Sequence, residues 1–176
     1  MKITDVRING MKNPAGYSFD SVRVSWKVTD SEGIAQKDAE IEVSLDQEFK
    51  ELLYKKNSED LNQTGEVLEM KTEPRTRYFV RVKVTDDLGE MAVSESVYFE
   101  TAKMQESWQA KWITTELEYK HHPVFFKEFE SEKEIQAARL YISGLGLFHA
   151  ELNGRKVGDE ILTPYYSDYH EEEQYL

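Results

Sequence analysis

From Tyr78 to Val84 apolar and polar residues alternate without a break. Tyr78, Val80, Val82 and Val84 fall on one side, Phe79, Arg81 and Lys83 on the other. A period of two predicts a β-strand with one buried face. The same pattern recurs from Ser21 to Val28, where Val22, Val24, Trp26 and Val28 oppose Arg23, Ser25 and Lys27. It recurs again where Ala39, Ile41, Val43 and Leu45 oppose Glu40, Glu42 and Ser44. Ile3 to Ile8 makes an opening strand, Leu52 to Lys55 and Glu66 to Met70 shorter ones, and Val97 and Phe99 belong to a strand ending near Thr101. Asn9-Gly10, Asn13-Pro14, Asp30 to Gly33 and Asp86 to Gly89 punctuate these runs as turns and loops. Seven short strands within about 100 residues predict a β-sandwich. Helix is scarce, and Asp46 to Tyr54 is the best candidate for one turn or two.

Lys103 to Ser107 is a short polar joint, which divides residues 1–102 from a second region, 108–176. That region opens on Trp108 and Trp112, continues with an expected strand from Val124 to Phe129, and turns at the charged stretch Glu130 to Glu134. Ala138, Leu140 and Ile142 then alternate with Arg139, Tyr141 and Ser143. Gly144-Leu145-Gly146 is a turn, and Phe148, Ala150 and Leu152 alternate with His149 and Glu151. Asn153-Gly154 predicts a two-residue hairpin, because a type I′ turn needs positive φ at both central residues. Ile161-Leu162 follows and Pro164 breaks the run. The expected fold class is all-β.

Composition narrows the chemistry. The net charge is −12, and both regions are acidic. Neither offers the basic surface that a phosphate backbone or an anionic lipid needs, so no nucleic-acid and no membrane partner is expected. There is no cysteine, which removes disulfides and thiolate metal sites. No window reaches the roughly 18 apolar residues of a membrane helix. No apolar run follows the basic residue near Met1, so a cytoplasmic location is expected, with secretion possible if a leader precedes Met1.

No cofactor and no metal is expected. Gly144-Leu145-Gly146 lacks the third glycine of a dinucleotide loop, and His149 stands in its place. His121-His122 lies before Pro123 without a spaced ligand set. Asp86-Asp87-Leu88-Gly89-Glu90 lacks the spacing of a calcium loop. Glu171-Glu172-Glu173 reads as a solvated charge run, and Asn62-Gln63-Thr64 as a chance acceptor sequence for glycosylation. Trp108 and Trp112 fit packing better than a sugar-stacking platform. Tyr165, Tyr166 and Tyr169 crowd one loop after a strand and are the candidates for carbohydrate contact. No aspartate or glutamate stands in a distinctive motif, so no catalytic residue is named.

Two resemblances add to this reading. Pro74 to Val82 resembles the start of strand F in fibronectin type III domains, with Tyr78 as the tyrosine-corner residue. The likeness covers roughly residues 1–102 and implies a fibronectin type III or immunoglobulin-like sandwich, with Trp26 in its core and the Tyr78 hydroxyl bonded to backbone at the preceding turn. The second region is similar to bacterial α-L-rhamnosidases at ordered points. These are Trp108-x-Ala110-x-Trp112-Ile113, Pro123-x-Phe125-x-Lys127-x-Phe129, Ala138 to Ile142, Gly144-Leu145-Gly146, Leu152-Asn153-Gly154, Val157-Gly158-Asp159, Leu162 and Pro164. Phe148-His149 and Ser167-Asp168-Tyr169 depart from that pattern.

That resemblance implies a glycoside hydrolase with an (α/α)6-barrel catalytic domain and an inverting mechanism. Two carboxyl groups would stand roughly 6.5–9.5 Å apart in that barrel. Residues 108–176 would be the first part of a jelly-roll-like sandwich, and the chain an inactive N-terminal fragment. Its partners would be rhamnose-containing glycosides through the full-length enzyme, its own further C-terminal domains, and a second copy pairing at exposed strand edges. The competing expectation is a carbohydrate-binding or adhesion module of tandem sandwiches.

Overall fold

In the computed structural model, which describes residues 1–117, 121–171 and 174–175, the strongest alternation becomes the longest strand. The chain divides into two units, Met1–Ala110 and Lys111–Leu176. Every regular element among the described residues is a strand.

Unit 1 contains β1 (Lys2–Ile8), β2 (Ala15–Tyr17), β3 (Val22–Thr29), β4 (Gln36–Ser44), β5 (Leu52–Ser58), β6 (Glu66–Leu68), β7 (Arg77–Asp86), β8 (Met91–Val93) and β9 (Val97–Thr101). One sheet runs β1-β3-β6. The other runs β2-β9-β7-β4-β5, with β8 also paired to β7. Only β2 joins its neighbour in parallel. The inward rows meet in one core: Val6 and Ile8 of β1, Val22, Val24 and Trp26 of β3 and Leu68 of β6 against Ala39, Ile41 and Val43 of β4, Tyr78, Val80, Val82 and Val84 of β7 and Phe99 of β9. This is the sandwich that the alternation predicts, with two inner faces sharing one apolar layer.

Tyr78 makes the expected corner. Its buried hydroxyl accepts the Glu73 backbone N–H at 2.7 Å, and its ring stacks on Phe99 with centroids 4.9 Å apart. Thr101 closes the same corner: its hydroxyl donates to the Glu73 carbonyl and accepts the Thr76 N–H.

Three details of unit 1 differ from the sequence expectation. Asp46 to Tyr54 forms no helix. The Asp46 carboxylate accepts the Ser44 hydroxyl and the backbone N–H groups of Glu48 and Lys50, so a turn wins over the helical ladder, and Leu52 already enters β5. Leu45 is 55% exposed rather than inward, because the pairing register slips between Val43 and Ser44 and the strand ends there. β2 and β8, three residues each, are too short for their periodicity to show.

Unit 2 contains β10 (Glu151–Leu152) and β11 (Arg155–Lys156), the hairpin expected around Asn153-Gly154. Asn153 and Gly154 both have positive φ, 50° and 74°. An isolated bridge joins Ser143 to Tyr175, and the Ser143 hydroxyl donates to the Gln174 carbonyl at 2.7 Å. The expected strands Val124–Phe129 and Ala138–Ile142 do not form. Alternation alone makes no strand; a ladder of backbone hydrogen bonds does, and neither run is part of a strand ladder among the described residues. Val124 and Phe126 are 91% and 82% exposed. Glu172, Glu173 and Leu176, which belong to the expected charge run and the chain's end, lie outside the described residues.

Candidate functional site

The loop after the β10–β11 hairpin carries the three tyrosines. Its base is anchored: the Thr163 carbonyl accepts the Phe148 N–H at 3.0 Å, and the Thr163 and Ser167 side chains are buried. Between the buried Pro164 and Ser167, Tyr165 and Tyr166 are exposed. Asp168 then makes a local turn, accepting the His170 N–H on its carboxylate and the Glu171 N–H on its carbonyl. That turn brings Tyr169 back beside Tyr166, with ring centroids 5.7 Å apart and planes at 61°. The structure therefore joins Tyr166 and Tyr169 into an edge-to-face pair, and Tyr165 stays apart from it. Such a pair offers an apolar ring face with polar hydroxyls at its rim, the chemistry that suits the C–H face and hydroxyls of a sugar ring.

Several other chemistry-bearing groups of the described residues hold turns or lie at the surface. Asp86 accepts the Ser31 hydroxyl and the N–H groups of Leu88 and Glu90, while Asp87 accepts the Ile34 N–H. These bonds shape the β7–β8 turn and hold the Asp86 carboxyl below the usual range, the Ser31 bond foremost. His149 Nε2 lies 3.1 Å from Glu151 Oε1 at the surface, and His121 and His122 are exposed. No group of three or more histidine or carboxylate side chains suited to a metal occurs among the described residues.

On the outer face of the large sheet, register places Glu40 opposite Lys83 and Glu42 opposite Arg81. Lys55 and Lys83 both reach Glu40, at 2.8 and 2.7 Å. Lys83 also bonds Glu42 at 2.8 Å, and Arg81 pairs with Glu42 while covering the Phe49 ring at 4.2 Å. Desolvation opposes ionisation of Glu40, but the Lys55 and Lys83 hydrogen bonds outweigh it and hold its carboxyl down at about 2. Hydrogen bonds from Lys27 and Arg7 hold Asp5 at about 2 as well. The alternating charges of β4 and β7 were visible in the sequence; their pairing needed the register between strands 39 residues apart.

Unit 1 also has an open cleft floored by Leu45, Leu53, Tyr54, Met70 and Tyr78, with Glu69, Lys71 and Glu73 at its rim. The one polar group of its floor that belongs to the core, the Tyr78 hydroxyl, is already bonded to Glu73.

Residues 3–105 match the family described as Rha78A-like, N-terminal immunoglobulin domain, and residues 133–176 match the α-L-rhamnosidase N-terminal domain. An α-L-rhamnosidase of Formosa agariphila is 28% identical over 97% of this chain and 21% of its own length. One from Streptomyces avermitilis is 49% identical over a shorter stretch, 24% of this chain and 4% of its own. The solved structure of α-L-rhamnosidase from Dictyoglumus thermophilum superposes with a TM-score of 0.79 at 28% identity, over 99% of this chain and 22% of its own. The chain thus spans about a fifth of the length of the full-length relatives that align with nearly all of it.

Proposed function

Because the chain belongs to the family of Rha78A-like N-terminal immunoglobulin domains, with an α-L-rhamnosidase N-terminal domain following, we propose that it is the non-catalytic N-terminal part of an α-L-rhamnosidase. The whole protein would remove terminal α-L-rhamnose from glycosides, by inversion, in a helical-barrel domain that these residues do not form. The observation that carries this reading is the alignment of nearly the whole chain with about a fifth of several α-L-rhamnosidases. The electrostatics support a scaffold role. A glycosidase acid needs a carboxyl held protonated above its usual range. In unit 1 Asp5, Glu40, Asp46, Glu66 and Asp86 are all displaced the other way, by partners that hold turns and sheets together. The test is hydrolysis of a chromogenic α-L-rhamnoside by this chain and by the product of its complete reading frame. Activity only in the latter is the expected result. Activity of this chain alone refutes the non-catalytic assignment, and a rhamnoside-inert complete protein refutes the enzyme.

A second reading rests on Tyr166 and Tyr169: as an exposed aromatic pair they would give the chain weak carbohydrate affinity. Titration with L-rhamnose and with rhamnose-containing oligosaccharides should then show millimolar binding, about 4 kcal/mol, lost in Tyr166→Ala. A flat titration removes this reading and leaves the scaffold role.

The exposed apolar side chains of unit 2, Val124, Phe126 and Ile161 among them, point to partners within the whole protein. In the isolated chain a second copy would take their place. Light scattering across a concentration series should show a mass rising above the monomer; a constant monomer mass refutes the pairing.

A further inference from the structure

The chain has five asparagines, and two of them, Asn9 and Asn153, precede glycine. Both sit in tight turns of the same hand: φ is 50° at Asn9 and 79° at Gly10, 50° at Asn153 and 74° at Gly154. Their side chains are held very differently. The Asn9 carboxamide donates to the Ser21 carbonyl at 2.9 Å and accepts the Arg23 N–H at 2.6 Å. Ile8 and Met11 exchange both backbone bonds across that turn. Asn13 accepts the Tyr98 N–H, and the proline after it has no N–H. Asn57 donates to Asp38, and Asn62 accepts from the Thr64 N–H and hydroxyl. Asn153 alone is exposed with no side-chain hydrogen bond among the described residues.

We propose that Asn153-Gly154 is a spontaneous modification site of this chain, at which Asn153 converts to aspartate and isoaspartate while Asn9 is protected by its fold. The chemistry needs only water. The Gly154 backbone nitrogen attacks the Asn153 side-chain carbonyl carbon, Cγ. The new C–N bond closes a five-membered imide, the Cγ–Nδ2 bond breaks, and ammonia leaves with the proton given up by Gly154. Water then opens the imide. Cleavage at Cγ gives aspartate; cleavage at the main-chain carbonyl gives isoaspartate, whose backbone runs through the former side chain. No electron is gained or lost.

Two features favour the step at Asn153. Glycine presents no Cβ to crowd the attacking nitrogen. Strands β10 and β11 have two residues each, and so small a hairpin opens readily and lets the backbone reach the attacking geometry. Asn9 lies beside the sandwich, where two bonds fix its carboxamide away from that geometry. The product carries a new carboxylate, and the isoaspartyl form adds a methylene to a turn that has room for two residues. The Leu152–Arg155 pairing and the Val157 N–H bond to Ala150 would be lost with it.

The test is peptide mapping of the intact chain after prolonged incubation at mildly alkaline pH, with enzymatic methyl labelling of isoaspartate. Conversion is expected at Asn153 at least about tenfold faster than at Asn9, the factor that two net hydrogen bonds supply. In denaturant both Asn-Gly sites should convert at comparable rates, which shows that the fold makes the difference. Asn153→Gln should abolish the labelling of the folded chain. Equal rates at the two sites in the folded protein, a faster Asn9, or no conversion at Asn153 where the denatured chain reacts would each overturn the proposal.

Discussion

Tyr78 is the residue on which the first unit turns. Its ring lies in the core against Phe99, and its hydroxyl accepts the backbone N–H of Glu73 in the turn before β7. Tyr78→Phe keeps the ring and removes only that bond. A half-buried N–H then loses its acceptor, at a cost of about 1–2 kcal/mol. Urea titration should show a lower midpoint with an unchanged slope; an unchanged midpoint would mean that water replaces the hydroxyl without loss. Thr101→Val is the complementary change. It removes an acceptor for the Thr76 N–H and a donor to the Glu73 carbonyl. Because the two side chains share Glu73, the double variant should lose less than the separate losses combined. At Tyr78 the sequence sufficed, since the Arg-Tyr-Phe-Val-Arg-Val run carries both the alternation and the corner residue. At Asp46 it misled: the helix-compatible run Gln47 to Leu53 follows, but an aspartate that can cap a turn from within outcompetes it.

At the scale of strands, β4 and β7 supply both the centre of the core and the charged outer ladder. Their inner faces bring Ile41 against Val82 and Val43 against Val80. Ile41 is wholly buried, so Ile41→Ala should cost about 2–5 kcal/mol by lost burial and the cavity left behind, read as a shift of the denaturant midpoint. The outer ladder sets a pH dependence. Glu40 titrates near 2 in the folded chain against 4.5 in its reference state, and Asp5, Asp46, Glu66 and Asp86 are lowered too. A carboxyl depressed by folding stabilises fully above its unfolded pKa, and that contribution fades as pH falls through the folded value. The thermal midpoint should therefore stay level from neutrality to near pH 5 and drop between the unfolded value of 4.5 and about 2. Glu40→Gln should shrink the drop; a curve identical to that of the parent chain refutes the assignment. Lys83 works at the other end: its pKa is raised, first by Glu40 and then Glu42, so its share is present below 10.5 and lost only at higher pH. The rows of these strands were legible in the sequence because each is long enough for the period to repeat. The ladder was not, because a cross-strand pair depends on register, which local sequence does not carry. The same reason hid β2 and β8, which owe their existence to β9 and β7.

For the whole molecule, the two units differ in how completely each buries its apolar residues. The buried cluster of unit 1 runs from Val6 to Phe99, with Met1 and Ile3 packed against it, all within Met1–Ala110. Removing residues 111–176 should therefore leave the unfolding midpoint of residues 1–110 within about 0.5 kcal/mol of that in the full chain. Unit 2 has one hairpin and one bridge among its described residues. Trp112, Val124, Phe126, Phe129, Leu140 and Ile161 are exposed there, although the sequence from Ala138 to Leu152 alternates much as the strands of unit 1 do. The difference is physical: a strand's alternating face is stabilised only when a second layer covers it, and the sequence specifies the face without supplying the cover. Tyr165, Tyr166 and Tyr169 were visible for the same local reason, whereas the pairing of only two of them depends on the turn at Asp168. Hydrogen exchange separates these regimes directly. Amides of β4, β7 and β9, each inside a ladder of a closed sandwich, should exchange only through global unfolding. Amides from 121 to 147 should exchange orders of magnitude faster by local opening, and those at Leu152 and Arg155 should lie between. If 121–147 were protected as strongly as β7 in the isolated chain, its apolar residues would have found a cover in solution. A mass above the monomer in the same sample would then identify that cover as a second copy.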